Sequence, residues 1–507
     1  MSTPSNVHVN LDAIDGICKE LNEIARSAAH QGKAIDEVEQ EIWEKLIQLG
    51  GELVGIVLAQ LGRGDVGPEI QVEGKPTLKR SEQPQHRRYR SVFGVFDLER
   101  YTYAEQAKRK AQRIPLDEQV GLPEHDYSLL LEKWIGIAAS EDSFDHAVSM
   151  LERMLLTRIP VDSAERVCGR QAEMVNDFFD QLPTPDPDEE GSILVETVDR
   201  KGVPLRRSRR DPQPAFAPSE QKGAKPGTKK MAAVGSVYSV DRHQRDAEEV
   251  LDALFRKKRE GKRKKKRPRP KHKRVRAMLP KQLDDGDETV TLDTVAVICD
   301  WMNEEAESRH RENQEIVLIC DGEEGLWETA SLSRSESTPR TEILDLLHAV
   351  PRIWKCGELL HDNEPLERYV YQRIGDLLAG RGRSVIRGFR RKATLMGLQG
   401  KPRETIDTAC NYLERHLRRM RYDEYLERGL PIASGVIEGA CRHLVKDRLE
   451  RSGMRWTIAG AQSILDLRSI ITSDLWEPYQ DHYRARRLRD RYGETRRNFA
   501  SELGLAA

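Results

Sequence analysis

Three acidic residues in this chain have the type and the spacing to share bound metal ions. Asp199 and Asp321 each end a short apolar run of β type, whereas Glu438 falls in the first turn of a predicted helix. Hard divalent cations prefer carboxylate oxygen, and two such ions about 4 Å apart stabilise both the attacking and the leaving oxygen of an in-line displacement at phosphorus. The pattern therefore predicts a site for two Mg²⁺ or Mn²⁺ ions.

The elements around the aspartates must bring them together. Apolar runs predict strands over 192–198, 202–205, 231–240 and 315–320, with helices before and after the fourth of these. Two parallel strands that are neighbours need a crossover connection, which helices supply. The order of strands and helices predicts an α/β fold with an RNase H-like mixed sheet. In that sheet the first and fourth strands are adjacent and parallel, so Asp199 and Asp321 would meet.

Glu438 comes shortly after Ser434, which is a residue type that favours the N-cap of a helix. Helical spacing would place Arg442 and Lys446 on the same face as Glu438, where a carboxylate and two cations suit a phosphate bound to metal. The alternative is an ordinary pair between Glu438 and Arg442, four residues apart, which stabilises a helix by about 0.3–0.5 kcal/mol.

Asp345 is the second-choice carboxylate. It also ends a short apolar run, and His348 follows one helical turn later, where it could orient a phosphate or a water molecule. Asp321 is the preferred residue because the run before it is longer and fits the β pattern better.

Basic residues are concentrated in the stretch 256–276, where 15 of 21 residues are Lys or Arg. A hydrophobic core cannot absorb that density of like charge, so the stretch is expected to lie in solvent or against phosphate. The alternative is a solvated low-complexity loop or a localisation signal. The predicted DNA contacts are Lys201, Lys264, Lys265, Lys266, Arg267, Arg442, Lys446 and Arg448, with Trp456 as a residue on which a base could stack.

Helical and β-type patterns divide the chain into five regions. The second of them ends in three predicted helices over 128–179, which are compatible with a helix-turn-helix DNA reader or with a plain helical bundle. The regions are a helical hairpin over 1–75, a small β-hairpin with helices over 76–182, the first part of the RNase H-like core over 191–350 with the basic arm 256–276, a helical insertion over 351–430, and a closing helix with a helical tail over 431–507.

Composition limits the cellular setting. The seven cysteines are odd in number and form no CxxC pair, which favours a reducing cytoplasm over a disulfide framework. A secretory leader, a membrane span and an ATP-binding phosphate loop are not expected. The formal net charge of -1 hides a strong local imbalance, which points to an anionic partner.

Four sequence blocks, over 198–207, 319–327, 343–348 and 434–456, resemble the motif blocks of the ISKra family of bacterial insertion-sequence transposases. The resemblance runs from about Tyr89 to Trp476 and is most specific in the last block. It implies a DDE transposase in which Asp199, Asp321 and Glu438 bind two Mg²⁺ or Mn²⁺ ions. It also implies a helical insertion before the helix that carries Glu438, and a homodimer acting on the terminal inverted repeats of double-stranded DNA and on target DNA.

Two departures from the family pattern stand out. Relatives usually have glycine where this chain has Arg200, which keeps the acid but would crowd the site. Relatives also often have cysteines shortly after the residue corresponding to Tyr103, and this chain has none there, which argues against a zinc ribbon. Two alternative functions remain: a catalytically inactive, domesticated DNA-binding protein, and an RNase H-like nuclease or resolvase that cleaves DNA without joining it.

Overall fold

The computed structural model describes residues 11–71, 76–105, 111–206, 229–257, 267–285, 288–333, 339–361, 365–451 and 453–493. Contacts between residues divide the chain into two compact units. The first unit comprises Met1–Phe178 and Trp476–Ala507, and the second comprises Phe179–Leu475.

The first unit begins with the predicted helical hairpin and continues with the predicted β-hairpin, and both are confirmed. Four helices, rather than three, lie between residues 128 and 181, all of which are described. The third of them begins at Val161, directly after Pro160. The elements are α1 (Leu11–Gln31), α2 (Ile35–Gln60), β1 (Glu69–Ile70), β2 (Leu78–Arg80), β3 (Gln85–Ser91), β4 (Gly94–Arg100), β5 (Tyr103–Ala104), α3 (Pro115–Val120), α4 (Leu129–Glu141), α5 (Phe144–Leu155), α6 (Val161–Ala172) and α7 (Val175–Gln181).

The second unit contains a central sheet and the predicted helical insertion. Its elements are β6 (Ile193–Pro204), β7 (Lys229–Val240), α8 (Ala247–Leu254), β8 (Lys271–Met278), β9 (Gln282–Asp285), β10 (Glu288–Thr291), α9 (Thr294–Arg309), β11 (Glu315–Cys320), α10 (Glu324–Leu332), β12 (Arg340–Leu344), α11 (Leu346–Leu360), α12 (Leu366–Leu378), α13 (Gly382–Leu395), α14 (Gly400–Arg415), α15 (Tyr422–Glu427), α16 (Gly435–Ala440), α17 (Asp447–Leu449) and α18 (Ile458–Thr472).

The central sheet has five strands in the order β12-β11-β6-β7-β8. Strands β12, β11 and β6 run parallel, whereas β7 is antiparallel to both β6 and β8. The predicted parallel pairing of β6 with β11 is confirmed. The fold is therefore α/β, with a mixed sheet and many helices.

Side chains alternate between the two faces of the sheet, because successive residues of a strand point to opposite sides. Leu194, Val198 and Leu318 pack with α9 and α10 on one face. Ile193 and Val317 pack on the other face with the insertion helices α11 to α14. Continued alternation directs Asp199 and Asp321 toward the face that carries the insertion.

The basic arm predicted over 256–276 is not a single solvated segment, because its last part belongs to the sheet. Residues 271–276 lie in β8, which pairs with β7. Arg274 is buried there and donates to Glu305 Oε2 at 2.6 Å. An ion pair within the protein thus compensates a charge that the sequence pattern assigned to solvent or phosphate.

The C-terminal helix α19 (Trp476–Tyr492) belongs to the first unit and not with the preceding core helices. Tyr483 of this helix is buried, and its hydroxyl hydrogen-bonds Glu132 Oε2 in α4 at 3.0 Å. The observed division therefore differs from the predicted region 431–507. Within the described part of the chain, no helix is both long enough and apolar enough to cross a membrane.

Candidate carboxylate site on three parallel strands

An aspartate lies at the same level of each of three parallel strands, inside β6 and directly after β11 and β12. Strand β6 does not end at Val198 as predicted but continues to Pro204, so Asp199 is paired within the sheet. Cys320 of β11 lies opposite Val198 of β6 and opposite Leu344 of β12. Asp199, Asp321 and Asp345 are the next residues. The pairing continues into this level, because the Asp345 amide donates to the Cys320 carbonyl oxygen at 2.9 Å. The register places the backbones of these three acidic residues side by side.

Asp199 is half-buried and is held by two donors. Its Oδ1 accepts the Arg200 amide at 2.6 Å, and its Oδ2 lies 3.3 Å from Cys441 Sγ. Burial raises the pKa of the Cys441 thiol, with a further contribution from the Asp199 charge. The thiol therefore keeps its proton and acts as a donor to the carboxylate. The segment that follows α16 is in this way attached to the middle of β6.

The side chain of Arg200 in β6 points toward the loop after β11. Its guanidinium forms a 2.5 Å ion pair with Glu323 in that loop. The pair connects β6 with the segment that follows β11. Arg200 thus has a carboxylate partner other than Asp199.

Asp321 starts a tight turn before α10. Its Oδ1 accepts the Glu323 amide at 2.8 Å, and its carbonyl oxygen accepts the indole N–H of Trp327 at 2.7 Å. Burial raises the pKa of the Asp321 carboxyl, and the charges of Asp199 and Asp345 raise it further. The hydrogen bond from the Glu323 amide and the charge of His348 lower this pKa. The ionisation of Asp321 therefore depends on the charges of Asp199 and Asp345.

The insertion helix α14 packs against the turn that contains Asp321. The sequence did not predict this contact. A Cβ built on Gly322 would lie 2.1 Å from Tyr412 Cε2, so the ring leaves space only for glycine. His416 lies with its Nε2 3.2 Å from the Gly322 carbonyl oxygen. The loop that carries the second acid is therefore packed against α14, although about ninety residues separate them along the chain.

Glu438 lies on α16 and is exposed. Partial burial raises the pKa of its carboxyl, and the charges of Asp345 and Asp199 raise it further, while His348 lowers it. Glu438 is therefore within electrostatic reach of Asp199 and Asp345. The charge of His348 opposes the like-charge effect on both Asp321 and Glu438.

Asp345, the second-choice ligand, is fully buried and has a structural set of partners. Its Oδ1 caps α11 by accepting the Leu347 amide at 2.8 Å. Its Oδ2 accepts both the amide and the hydroxyl of Ser434. The predicted N-cap hydrogen bond from Ser434 to its own helix is therefore absent, because the hydroxyl is used by Asp345. Asp345 fixes the start of the helix that carries Glu438.

The carboxylates are ligands of the type that hard divalent cations prefer, because they offer oxygen atoms. A bound cation would also relieve the repulsion between their negative charges. The charges of Asp199 and Asp345 act on both Asp321 and Glu438. Within the described residues, however, no three His, Cys, Asp or Glu side chains are gathered tightly enough to hold a metal ion. The carboxylates are therefore a candidate site whose ligands are not assembled in this structure.

Glu438 and Arg442 do not form the ion pair that regular helical spacing would allow, because the helix changes pitch between them. Residues Cys441–Lys446 form a π-helix, a wider turn that often occurs at functional sites. Arg442 lies 3.7 Å from Asp447. Arg442 and Lys446 are both exposed, and Lys201 is half-buried.

Arg448 and Trp456 require a correction. Arg448 is fully buried, with its guanidinium 4.7 Å from the centre of the Trp456 ring. The Trp456 indole N–H donates to the Leu449 carbonyl oxygen at 3.1 Å. Both residues belong to the interior, where a DNA backbone or a base does not reach them. The predicted contacts at Lys264, Lys265 and Lys266 lie outside the described residues, whereas Arg267 is described and exposed.

Comparison of the sequence with protein-family models gave no match, and a search of curated proteins gave none either.

Proposed function

We propose that this chain is a DDE transposase with an RNase H-like core, which cuts and joins DNA at the ends of an insertion sequence. The observation that carries the proposal is the row of acids formed by Asp199 in β6 and by Asp321 and Asp345 directly after β11 and β12. The strand order agrees with it, since the first and fourth strands of the sheet are adjacent and parallel while the second and third are antiparallel. The motif resemblance given above points the same way.

In this proposal Asp199, Asp321 and Glu438 hold two Mg²⁺ or Mn²⁺ ions. When bound, the ions supply Lewis-acid stabilisation of the attacking and leaving oxygens of a phosphodiester. The raised pKa values of Asp321 and Glu438 agree with this role, because clustered carboxylates repel one another until a cation is present. Asp345 would not bind the ions itself. It would position Glu438 indirectly, because it holds Ser434 at the start of α16.

The remaining residues of the site position DNA and the carboxylates. Trp327 and Tyr412 hold the turn that contains Asp321. His348, which lies within electrostatic reach of Asp321 and Glu438, would donate a hydrogen bond to a phosphate oxygen or to the attacking water. Arg442 and Lys446 are exposed beside α16 and would contact phosphates of the DNA. Two copies of the chain would act together on paired DNA ends.

The test uses purified full-length chain and labelled duplex DNA that carries the inverted repeats flanking the gene. We expect nicks at the repeat ends with Mg²⁺, no nicks with EDTA, and joined products when target DNA is added. Cleavage without joining would identify a nuclease or resolvase. No Mg²⁺-dependent cleavage at any repeat would contradict the proposal.

A second candidate is a DNA-binding protein that has lost cleavage. It is favoured by the observation that no three side chains among the described residues are close enough together to hold a metal ion. This candidate predicts binding to the same repeats with equal affinity in Mg²⁺ and in EDTA, and no strand breaks. The nicking assay therefore separates the two candidates.

A further inference from the structure

The helical insertion contains a segment whose charge is entirely positive. Residues 379–403 include eight Arg or Lys and no Asp or Glu, in a chain where 83 basic residues are balanced by 84 acidic ones. Helix α13 lies inside this segment. The absence of acidic residues from this segment contrasts with the balanced charge of the whole chain. The arrangement of its basic side chains therefore indicates a functional role.

The arginines of α13 are sorted by the helix period. Val385, Phe389 and other apolar residues form its buried face. Arg383, Arg387 and Arg391 recur every four residues on the opposite, exposed face, about 6 Å apart along the axis. None of the three forms an ion pair or a side-chain hydrogen bond with any residue that the structure describes. We call this set the α13 arginine stripe.

Other arginines of the same segment are compensated. Arg381 pairs with Asp376 at 2.7 Å, Arg390 pairs with Glu414 at 2.7 Å, and Arg403 pairs with Asp407 at 2.8 Å. The protein thus supplies carboxylates to half-exposed neighbours and supplies none to the stripe. Like charges four residues apart destabilise a helix by about 0.2–0.5 kcal/mol per pair, so the stripe costs stability.

Gly388 lies on the same side of α13, between Arg387 and Arg391 in sequence. A Cβ built on it would have no heavy atom within 4 Å, so packing against the rest of the protein does not require glycine. Glycine inside an exposed helix costs about 1 kcal/mol relative to alanine. A bare backbone between long cationic side chains leaves room for a partner to approach the helix closely.

We propose that the α13 arginine stripe binds the phosphate backbone of duplex DNA. The choice of DNA as the partner rests on the proposed function, whereas the presence of an anion-binding surface rests on the uncompensated charges. The planar guanidinium group suits phosphate because it donates two parallel hydrogen bonds. Such contacts hold and orient a duplex without reading its sequence. The insertion would then grip DNA whose cleaved bond lies at the carboxylate row.

The experiment compares two triple variants of the full-length chain that remove the same charge from the same segment. One replaces the stripe, R383Q/R387Q/R391Q, and the matched control replaces the compensated arginines, R381Q/R390Q/R403Q. Binding to a labelled duplex of arbitrary sequence is measured in EDTA by fluorescence anisotropy over a series of salt concentrations. Circular dichroism checks that both variants keep the helical content of the wild type and are folded at the temperature of the binding measurement.

We expect the stripe variant to bind more weakly and its salt dependence to become shallower. Each lost phosphate contact lowers the slope of log K against log salt by about 0.9, so three contacts lower it by roughly 2.7. The control should keep a slope close to that of the wild type. Equal effects of the two variants, or an unchanged slope in the stripe variant, would overturn the inference.

A membrane surface is the competing anion. If the stripe variant loses binding to vesicles containing phosphatidylserine but keeps its affinity for DNA, the assignment to DNA is wrong. Because binding is measured without metal, absence of cleavage in the nicking assay would leave this result unaffected. The two proposals can therefore fail separately.

Discussion

At the scale of single residues, Gly322 controls the position of the second acid. A side chain there would collide with the Tyr412 ring, so G322A should displace the turn that holds Asp321. A displacement of about 1 Å can cost on the order of a hundredfold in rate. We expect Mg²⁺-dependent nicking to fall by about that factor.

The matched control for this prediction is G325A in α10. A Cβ on Gly325 meets nothing within 4 Å, so this variant should cleave like the wild type. Comparable rates for G322A and the wild type would show that the Tyr412 contact does not position Asp321.

Asp345 can be distinguished from a metal ligand by two substitutions. D345A removes the cap of α11 and the anchor of Ser434, and loss of a cap costs about 0.5–2 kcal/mol. D345N keeps one carbonyl oxygen for the cap, so it should be more stable than D345A and retain part of the nicking activity. Urea unfolding and nicking rates measure both effects. A fully stable but inactive D345N would instead identify Asp345 as a ligand.

The sequence predicted the carboxylates Asp199 and Asp321, but it did not predict the residues that hold them in place. Asp199 and Asp321 each follow an apolar β-type run, which is a local signal. The bonds that hold them come from residues far along the chain, such as Cys441 and Tyr412, and one sequence contains no record of those contacts. Arg448 was misassigned because charge alone suggests a surface, whereas its guanidinium lies against an indole ring in the interior.

At the scale of elements, β8 shows why a basic run can hide a strand. Val275 and Ala277 are buried, and Arg274, which precedes Val275 in the same strand, is neutralised by Glu305. The acid comes from α9, about thirty residues later, so the run looks uncompensated when it is considered alone. Partners distant in sequence decide whether a charged stretch joins a sheet.

Helix α18 packs against β8 and carries a titratable group. Burial raises the pKa of Asp466 to about 7, with opposing contributions from Gln462 and Arg276. The folded chain therefore binds a proton between about pH 4 and pH 7 that the unfolded chain releases. The contribution of this proton to the free energy of unfolding is fully present below about pH 4 and is lost as the pH rises through about 7.

D466N should remove that pH dependence. Its free energy of unfolding relative to wild type should be higher near pH 8 than near pH 5, by up to a few kcal/mol. Urea unfolding at the two pH values measures the difference. The same difference at both values would mean that Asp466 is ionised in the folded chain throughout this range.

At the scale of the whole molecule, the first unit is closed by the last helix of the chain. Tyr479 in α19 is fully buried, contacts Phe178 with 5.3 Å between ring centres, and donates its hydroxyl to the Gln171 carbonyl. The sequence predicted the helix itself but grouped it with the residues before it. Amphipathic periodicity defines a helix and does not specify which unit it covers.

Y479A should destabilise the first unit by about 3–5 kcal/mol, the usual cost of removing a large buried aromatic side chain. Hydrogen exchange should accelerate in α6 and α4, whereas β6 and β7 of the second unit should keep their protection. L332A is the control, because Leu332 is 85% exposed. Equal acceleration in both units would show that they unfold together.

The most direct test of the carboxylate site is Mn²⁺ binding, measured by calorimetry on the full-length chain and on D199N, D321N, E438Q and D345N. We predict that the wild type binds Mn²⁺, that each of the first three variants loses at least one ion or most of the affinity, and that D345N retains binding. Undiminished binding by D199N, D321N and E438Q would contradict a shared metal site and leave the chain as a DNA-binding protein.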